Sequence, residues 1–252
     1  MGLSSIYYAF LYEGNQDANV RAQFVHNLLN DSSLSVMDVL AGDGLVGMNL
    51  CSRGFAVTLL EEDPVLYAII LEKFRGRKDL NSRLTPLPVK LLNLHTTETW
   101  NVIYFSNSIS FLDDNILEQY FAKAHELLTE NGLLIFNSPL PTKLRYPQDE
   151  TEIHKKVFGF NVIRHLASSK FLDERTMQIE YVFKHFHSNA LLSSISDQFS
   201  IFLRSKNELS SLLEKIGFET ESIYSDWEMS PIESDSANCL MVARKTTRKI
   251  VS

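Results

Sequence analysis

SVMDVLAGDGLVGMNLCSRGFAVTLLEED, residues 35–63, reads as strand, glycine turn, helix, strand and acid. The apolar run 36–40 suits a buried strand. Gly42, Gly44 and Gly47 follow at once, residues 48–53 have helical character, and Gly54 closes that helix. Residues 55–60 form a second apolar run with Glu61, Glu62 and Asp63 at its C-terminal end. This order is one βαβ unit with a nucleotide-type site at its crest. The glycines let the backbone approach a ligand closely, and an acid ending the second strand can accept hydrogen bonds from both hydroxyls of a ribose.

Outward from this unit, strand and helix continue to alternate. Residues 16–30 read as a helix with Val20, Phe24, Val25, Leu28 and Leu29 on one face. Pro64 opens a helix running towards Arg75. Pro86 and Pro88 bracket a loop, and residues 89–92 and 102–105 are short apolar strands. Asp113 and Asp114 cap a helix that stops at Asn131-Gly132, and 133–136 is a central strand. Such alternation predicts a mostly parallel sheet with helices on both faces. After Pro139 the pattern changes: 157–165, 177–187 and 195–204 read as antiparallel strands, with breaks at Ser168-Ser169 and Ser188-Asn189. Ser205 and Glu208 then make a capping box before a helix stopped by Gly217, and 218–224 and 237–243 form a closing strand pair.

Composition narrows the function. The 252 residues carry a net charge of −7, which argues against nucleic acid as a partner, since phosphate binding wants a basic face. The basic clusters 75–78 and 245–249 read as solvated charges. Two distant cysteines, Cys51 and Cys239, make neither a disulfide framework nor a metal site. The N-terminus lacks the pattern of a signal peptide, and no apolar run is long enough to span a bilayer. The expected setting is cytoplasmic, with no membrane partner.

The string 42–47 matches G-x-G-x-x-G with an acid about 20 residues on, the fingerprint of a dinucleotide site. However, Asp38 sits inside the first strand, and the turn begins later than that fingerprint expects. Asp38-Val-Leu40-Ala41-Gly42-Asp-Gly44 instead resembles the first motif, D-x-G-x-G-x-G, of class I S-adenosylmethionine-dependent methyltransferases. Residues 54–61 resemble that family's second strand with its ribose-binding acid, Glu61, with Glu62 as the register alternative. Residues 127–136 resemble its "LLkpGGxliF" step, and 208–218 its "eLxxLLxxaGF" turn. Tyr8 to Asp17 resembles the entry segment of small-molecule N-methyltransferases.

The resemblance implies an α/β, Rossmann-like fold: a mostly parallel seven-stranded sheet flanked by helices, with an antiparallel β insertion. It implies a helical lid segment over 1–33, a cofactor-binding core over 34–140 and 205–245, and a substrate or homodimer lobe over 141–204. The cofactor would be S-adenosyl-L-methionine, held by Asp38, Leu40, Ala41, Gly42, Gly44, Glu61 or Glu62, Asn93 and Ser106, with Tyr8 and Tyr12 closing over it. The methyl acceptor would be a small polar molecule, most naturally an amine. No metal and no fixed catalytic residue are expected, because the sulfonium already supplies the electrophile.

Four positions depart from the family pattern. Leu40 replaces a glycine, where a side chain could crowd the cofactor; Asn93 and Asn101 replace acids; and Phe111 stands where some members have histidine. Leu40, Asn93 and Asn101 keep open a catalytically inactive relative serving as a binding or regulatory subunit, and the glycine string 42–47 alone keeps open a nicotinamide-dependent oxidoreductase.

Overall fold

A computed structural model describes residues 7, 17–80, 82–141 and 147–246. In chain order the elements are α1 (Asp17–Leu29), β1 (Ser35–Val39), α2 (Leu45–Ser52), β2 (Ala56–Leu60), α3 (Pro64–Arg75), β3 (Leu84–Leu87), β4 (Trp100–Phe105), α4 (Asp114–Leu127) and β5 (Leu128–Pro139). Next come β6 (Thr151–Phe158), β7 (Asn161–Phe171), β8 (Thr176–His187), β9 (Ala190–Phe202), α5 (Lys206–Ile216), β10 (Phe218–Tyr224) and β11 (Asn238–Lys245). One seven-stranded sheet has the order β10-β11-β5-β4-β1-β2-β3. Strands β3, β2, β1, β4 and β5 pair in parallel, and β11 is antiparallel to both β5 and β10. The chain winds outward from β1 to β3 and then returns to β4 on the other side of β1. The topological switch point therefore lies between β1 and β4, where α/β sheets place their ligands.

The alternation of side chains decides the core. Met37, Val39, Ile103, Phe105, Leu134 and Phe136 point to one face, where they meet α4 and α5. Val36, Val57, Val102, Tyr104 and Ile135 point to the other, against Phe24 and Val25 of α1, Leu50 of α2 and Ile70 of α3. A strand buried on both faces has no polar side, which explains the apolar runs of β1 and β4. Helix starts are set by local chemistry. Asp63 accepts from the Val65 and Leu66 amides ahead of α3, Asp113 accepts from Ile116 ahead of α4, and Ser205 and Glu208 close a full capping box on α5.

The structure corrects four local expectations. The strand of this region is Leu84–Leu87, which contains Pro86, and 89–92 gives only a short 3-10 turn, Leu91–Asn93. Strand β3 is an edge, so a proline without an amide hydrogen costs no ladder bond on its open side. Asn131-Gly132 ends no helix: it lies inside β5, where the register against β4 slips between Trp100 and Val102. Residues 157–165 are two strands, because Gly159 (φ 58°) turns the chain between β6 and β7. Ser168-Ser169 lies within β7 and breaks nothing.

The second sheet, β6-β7-β8-β9, is antiparallel throughout. Ser188 and Asn189 turn β8 into β9 with positive φ (46° and 69°), the backbone a tight hairpin needs. Ile163, His165, Ala167, Ile179 and Phe183 are buried on its inner face. Phe183 stacks on Tyr7, whose hydroxyl lies 2.9 Å from Ser193 Oγ. Among the described residues no helix is long and apolar enough to cross a membrane.

Candidate functional site

Strand β1 leaves the sheet at Val39, and the next residues build a tight crest. Leu40 takes a left-handed backbone (φ 56°), as do Gly42 (62°) and Gly44 (74°). Ala41 donates to the Leu60 carbonyl at 3.0 Å, and Gly44 donates back to Ala41 at 3.0 Å. Glu61 laces this turn to the end of β2: its Oε2 accepts from the Gly42 amide at 2.7 Å and its Oε1 from the Asp63 amide at 2.9 Å. Asp43 is tied to α3 by an ion pair with Lys73 at 2.6 Å. Among the described residues a Cβ on Gly42 would meet nothing within 4 Å, so these residues leave open space directly above the turn. A Cβ on Gly47 would lie 2.1 Å from Leu59 Cδ2, so this glycine serves the packing of α2 on β2.

Two acids lie buried under the crest. Asp38 is 1% exposed, and among the described residues neither carboxyl oxygen has a well-formed hydrogen bond; the Gly47 amide favours its anion only weakly. Burial first, then the charge of Glu61, pushes its pKa up to about 8, against the opposing pull of Arg21. Glu61, 4% exposed, is also raised by burial, and the Asp63 and Gly42 amides work against that shift. The Tyr104 hydroxyl on β4 is buried as well, which holds its proton more tightly than usual.

Helix α1 reaches over this crest. Arg21 Nη1 donates to Ser106 Oγ at 2.6 Å, just past the end of β4, and the guanidinium pairs with Asp17 one turn back. Its central carbon sits 5.8 Å from the ring centre of Trp227, which packs edge-on to Phe24 (5.5 Å) and against Tyr104 (5.8 Å). Arg21 and Trp227 were not legible as site residues in the sequence. Neither falls in a motif, and the only local signal was the Asp17–Arg21 spacing of one helical turn.

The structure thus brings Asp38, Leu40, Ala41, Gly42, Gly44, Glu61 and Ser106 to one crest. Glu62 turns away and pairs with Lys90 at 2.9 Å. Asn93 is exposed at the end of its 3-10 turn. Tyr8 and Tyr12 lie outside the described residues. Asn101 sits at the opposite end of the sheet, where its Oδ1 accepts from the Ser35 amide (2.9 Å) and hydroxyl (3.0 Å). Its departure from the family pattern therefore concerns the sheet's base and not the crest. Leu40 packs sideways against the cluster that holds Val39, Leu60 and Leu91. Among the described residues no three His, Cys, Asp or Glu side chains are grouped to hold a metal ion. His185 and His187 share the Asn161 Oδ1, at 3.1 and 3.2 Å.

No family model matches the sequence, and no curated protein matches it. Solved structures do match the fold. An S-adenosylmethionine-dependent methyltransferase from Clostridium acetobutylicum superposes with a TM-score of 0.79 at 14% identity, covering 96% of this chain and 98% of that one. The CcbJ methyltransferase from Streptomyces caelestis gives a TM-score of 0.80 at 18% identity, with 95% and 96% covered. CalS10, an amino pentose methyltransferase from Micromonospora echinaspora with S-adenosylmethionine bound, gives 0.74 at 14% identity, with 98% and 97% covered. The fold is that of the class I methyltransferases. These superpositions run over nearly the whole of each chain, so they include the inserted sheet as well as the core.

Proposed function

We propose that this chain is an S-adenosylmethionine-dependent methyltransferase whose acceptor is a small polar molecule with an amine nitrogen. The observation that carries the reading is the crest after β1, an approach over Gly42 that the described residues leave open, backed by Glu61 and the buried Asp38. It lies at the switch point of a fold whose solved relatives are methyltransferases. The residues present fit the cofactor. Glu61 still has free lone pairs for ribose hydroxyls beyond the two amides it binds, and Asn93 offers a carbonyl acceptor for an adenine amine. Arg21 is a half-buried guanidinium at the crest, suited to a carboxylate. Ser106 orients that guanidinium, and Tyr8 and Tyr12 belong to the segment that would close over the site. Leu40 adopts the left-handed turn that a glycine would take and packs away to one side, so it leaves the turn intact.

S-adenosylmethionine, when bound, supplies a methyl group on a sulfonium. The chain's part is to hold the acceptor nitrogen in line, keep it neutral and exclude water. Phe111 offers no base where some relatives of this fold class have histidine, so positioning carries the larger share. The amino pentose methyltransferase among the superposed structures supports an amine acceptor.

Calorimetric titration with S-adenosylmethionine and S-adenosylhomocysteine, with NAD(H) as control, tests the reading. The expected result is micromolar binding of both sulfur compounds, lost in Glu61→Ala. Binding of neither would leave the fold serving as a binding or regulatory subunit, and binding of NAD(H) alone would select an oxidoreductase.

A further inference from the structure

Arg204 is a charged side chain buried to 3% exposure, and it stands where the inserted sheet returns to the core. Its Nε donates to Asp114 Oδ1 at 2.7 Å, and its Nη2 to the Leu112 carbonyl at 2.6 Å. Its Nη1 reaches the carbonyls of Ile109 (3.3 Å) and Phe202 (3.4 Å). One guanidinium therefore grips both ends of the 3-10 turn Ile109–Phe111, the first residue of α4 and the last residue of β9. Around it, Arg175 bridges Asp114 (3.3 Å) and Glu208 (3.1 Å), and the Leu203 amide donates to the Arg175 carbonyl at 2.8 Å. The gripped turn carries Phe111, which is 43% exposed and meets Phe199 of β9 edge-on at 5.4 Å. Phe199 in turn meets Tyr181 at 4.9 Å. An aromatic wall thus runs from the segment after β4 onto the inner face of the inserted sheet.

We infer that Arg204 is a positioning residue: it sets the placement of the 109–112 turn at the crest and locks the inserted sheet to it, so that Phe111 and Phe199 form one wall on the acceptor side. The location of that wall relative to an acceptor rests on the methyltransferase reading; the grip itself does not. Only a planar fork with donors on both sides can satisfy a carboxylate and three carbonyls together, so lysine is a poor substitute here.

The test uses the full chain and the variants Arg204→Lys and Arg204→Met. In the ligand-free protein, amide hydrogen exchange in peptides covering 107–113 is expected to quicken at least tenfold in Arg204→Met. Arg204→Lys should recover part of that loss through Asp114, and exchange in β1 and β4 should stay unchanged. Unaltered exchange at 107–113, or uniform quickening across the chain, would overturn the inference. Titration with S-adenosylhomocysteine provides the second readout: binding about tenfold weaker in Arg204→Lys at an unchanged melting temperature supports positioning, and equal affinity in the two proteins overturns it. If the unaltered chain binds no S-adenosylhomocysteine, the cofactor reading fails, and the exchange result alone decides the role of Arg204.

Discussion

At the scale of single residues, the crest is a place where stability is given up. Leu40 holds a left-handed backbone that disfavours any side chain by roughly 1 kcal/mol. Leu40→Gly should therefore change stability by less than ~1 kcal/mol, relief of the backbone offsetting lost packing, while Leu40→Val should cost about 1–2 kcal/mol. Urea denaturation checks both, and a valine variant as stable as the parent would show that the turn is not strained. Asp38 offers a sharper test. Its pKa is raised from 3.8 to about 8, so between those values the folded chain keeps a proton that the unfolded chain has lost. Stability then falls as pH rises from about 4 towards about 8, and is flat above. Asp38→Asn should remove that part of the slope: its melting temperature, set against the parent's, should gain more at pH 8.5 than at pH 5. Parallel pH profiles for the two proteins would mean that Asp38 is ionised and paired in the fold. The glycines and Glu61 were legible because turn chemistry and strand ends leave local signatures. Arg21 was not, since it meets Ser106, 85 positions further along the chain, only once the fold has formed.

At the scale of elements, helices and buried strands declared themselves through periodicity and caps. Pro64, Asp113 and the Ser205–Glu208 box placed three helix starts to within a residue. The misreadings fall where tertiary position overrides local preference. Pro86 is tolerated because β3 is an edge, and Asn131-Gly132 sits inside β5 at the register slip against β4, where Arg244 of β11 donates to the Asn131 carbonyl at 2.7 Å. In the inserted sheet, His165 is fully buried, stacked on Phe183 at 4.3 Å and edge-on to Tyr181 at 4.4 Å. Burial, with a smaller push from His154, lowers its pKa from 6.5 to about 4. Between those values the unfolded chain binds a proton that the folded one refuses, so stability drops as pH falls from about 6.5 to about 4. The loss is on the order of 2–3 kcal/mol. His165→Phe should flatten that acid limb in urea melts at pH 4.5 and pH 7. An unchanged limb would assign the acid sensitivity to another group.

Over the whole molecule, burial is unevenly shared. The two faces of the large sheet each carry an extended apolar cluster, from Met37 to Ala243 on one side and from Ala22 to Val242 on the other. The inserted sheet has two small ones, Met177, Ile179, Ile201 and Leu203 in the first and Ile163 with Phe183 in the second. Its hairpin ends leave Val157 and Phe160 exposed, 62% and 77%. A sheet with so little core of its own depends on its docking to the rest, and local stability follows buried apolar contact. Denaturant-dependent hydrogen exchange should therefore show β6 to β9 opening at lower free energy than β1, β4 and β5. A ligand that binds the crest should raise the opening energy of the core strands most, by about 2.7 kcal/mol at a hundredfold excess over its Kd. S-adenosylhomocysteine is the probe, and its effect on the inserted sheet is the informative part. If the 109–112 turn couples the two sheets, strand β9 gains protection along with β4, while β6, at the far edge, gains little. Equal protection of all four inserted strands would mean that the molecule opens as a single unit, and that the second sheet is a rigid extension of the first.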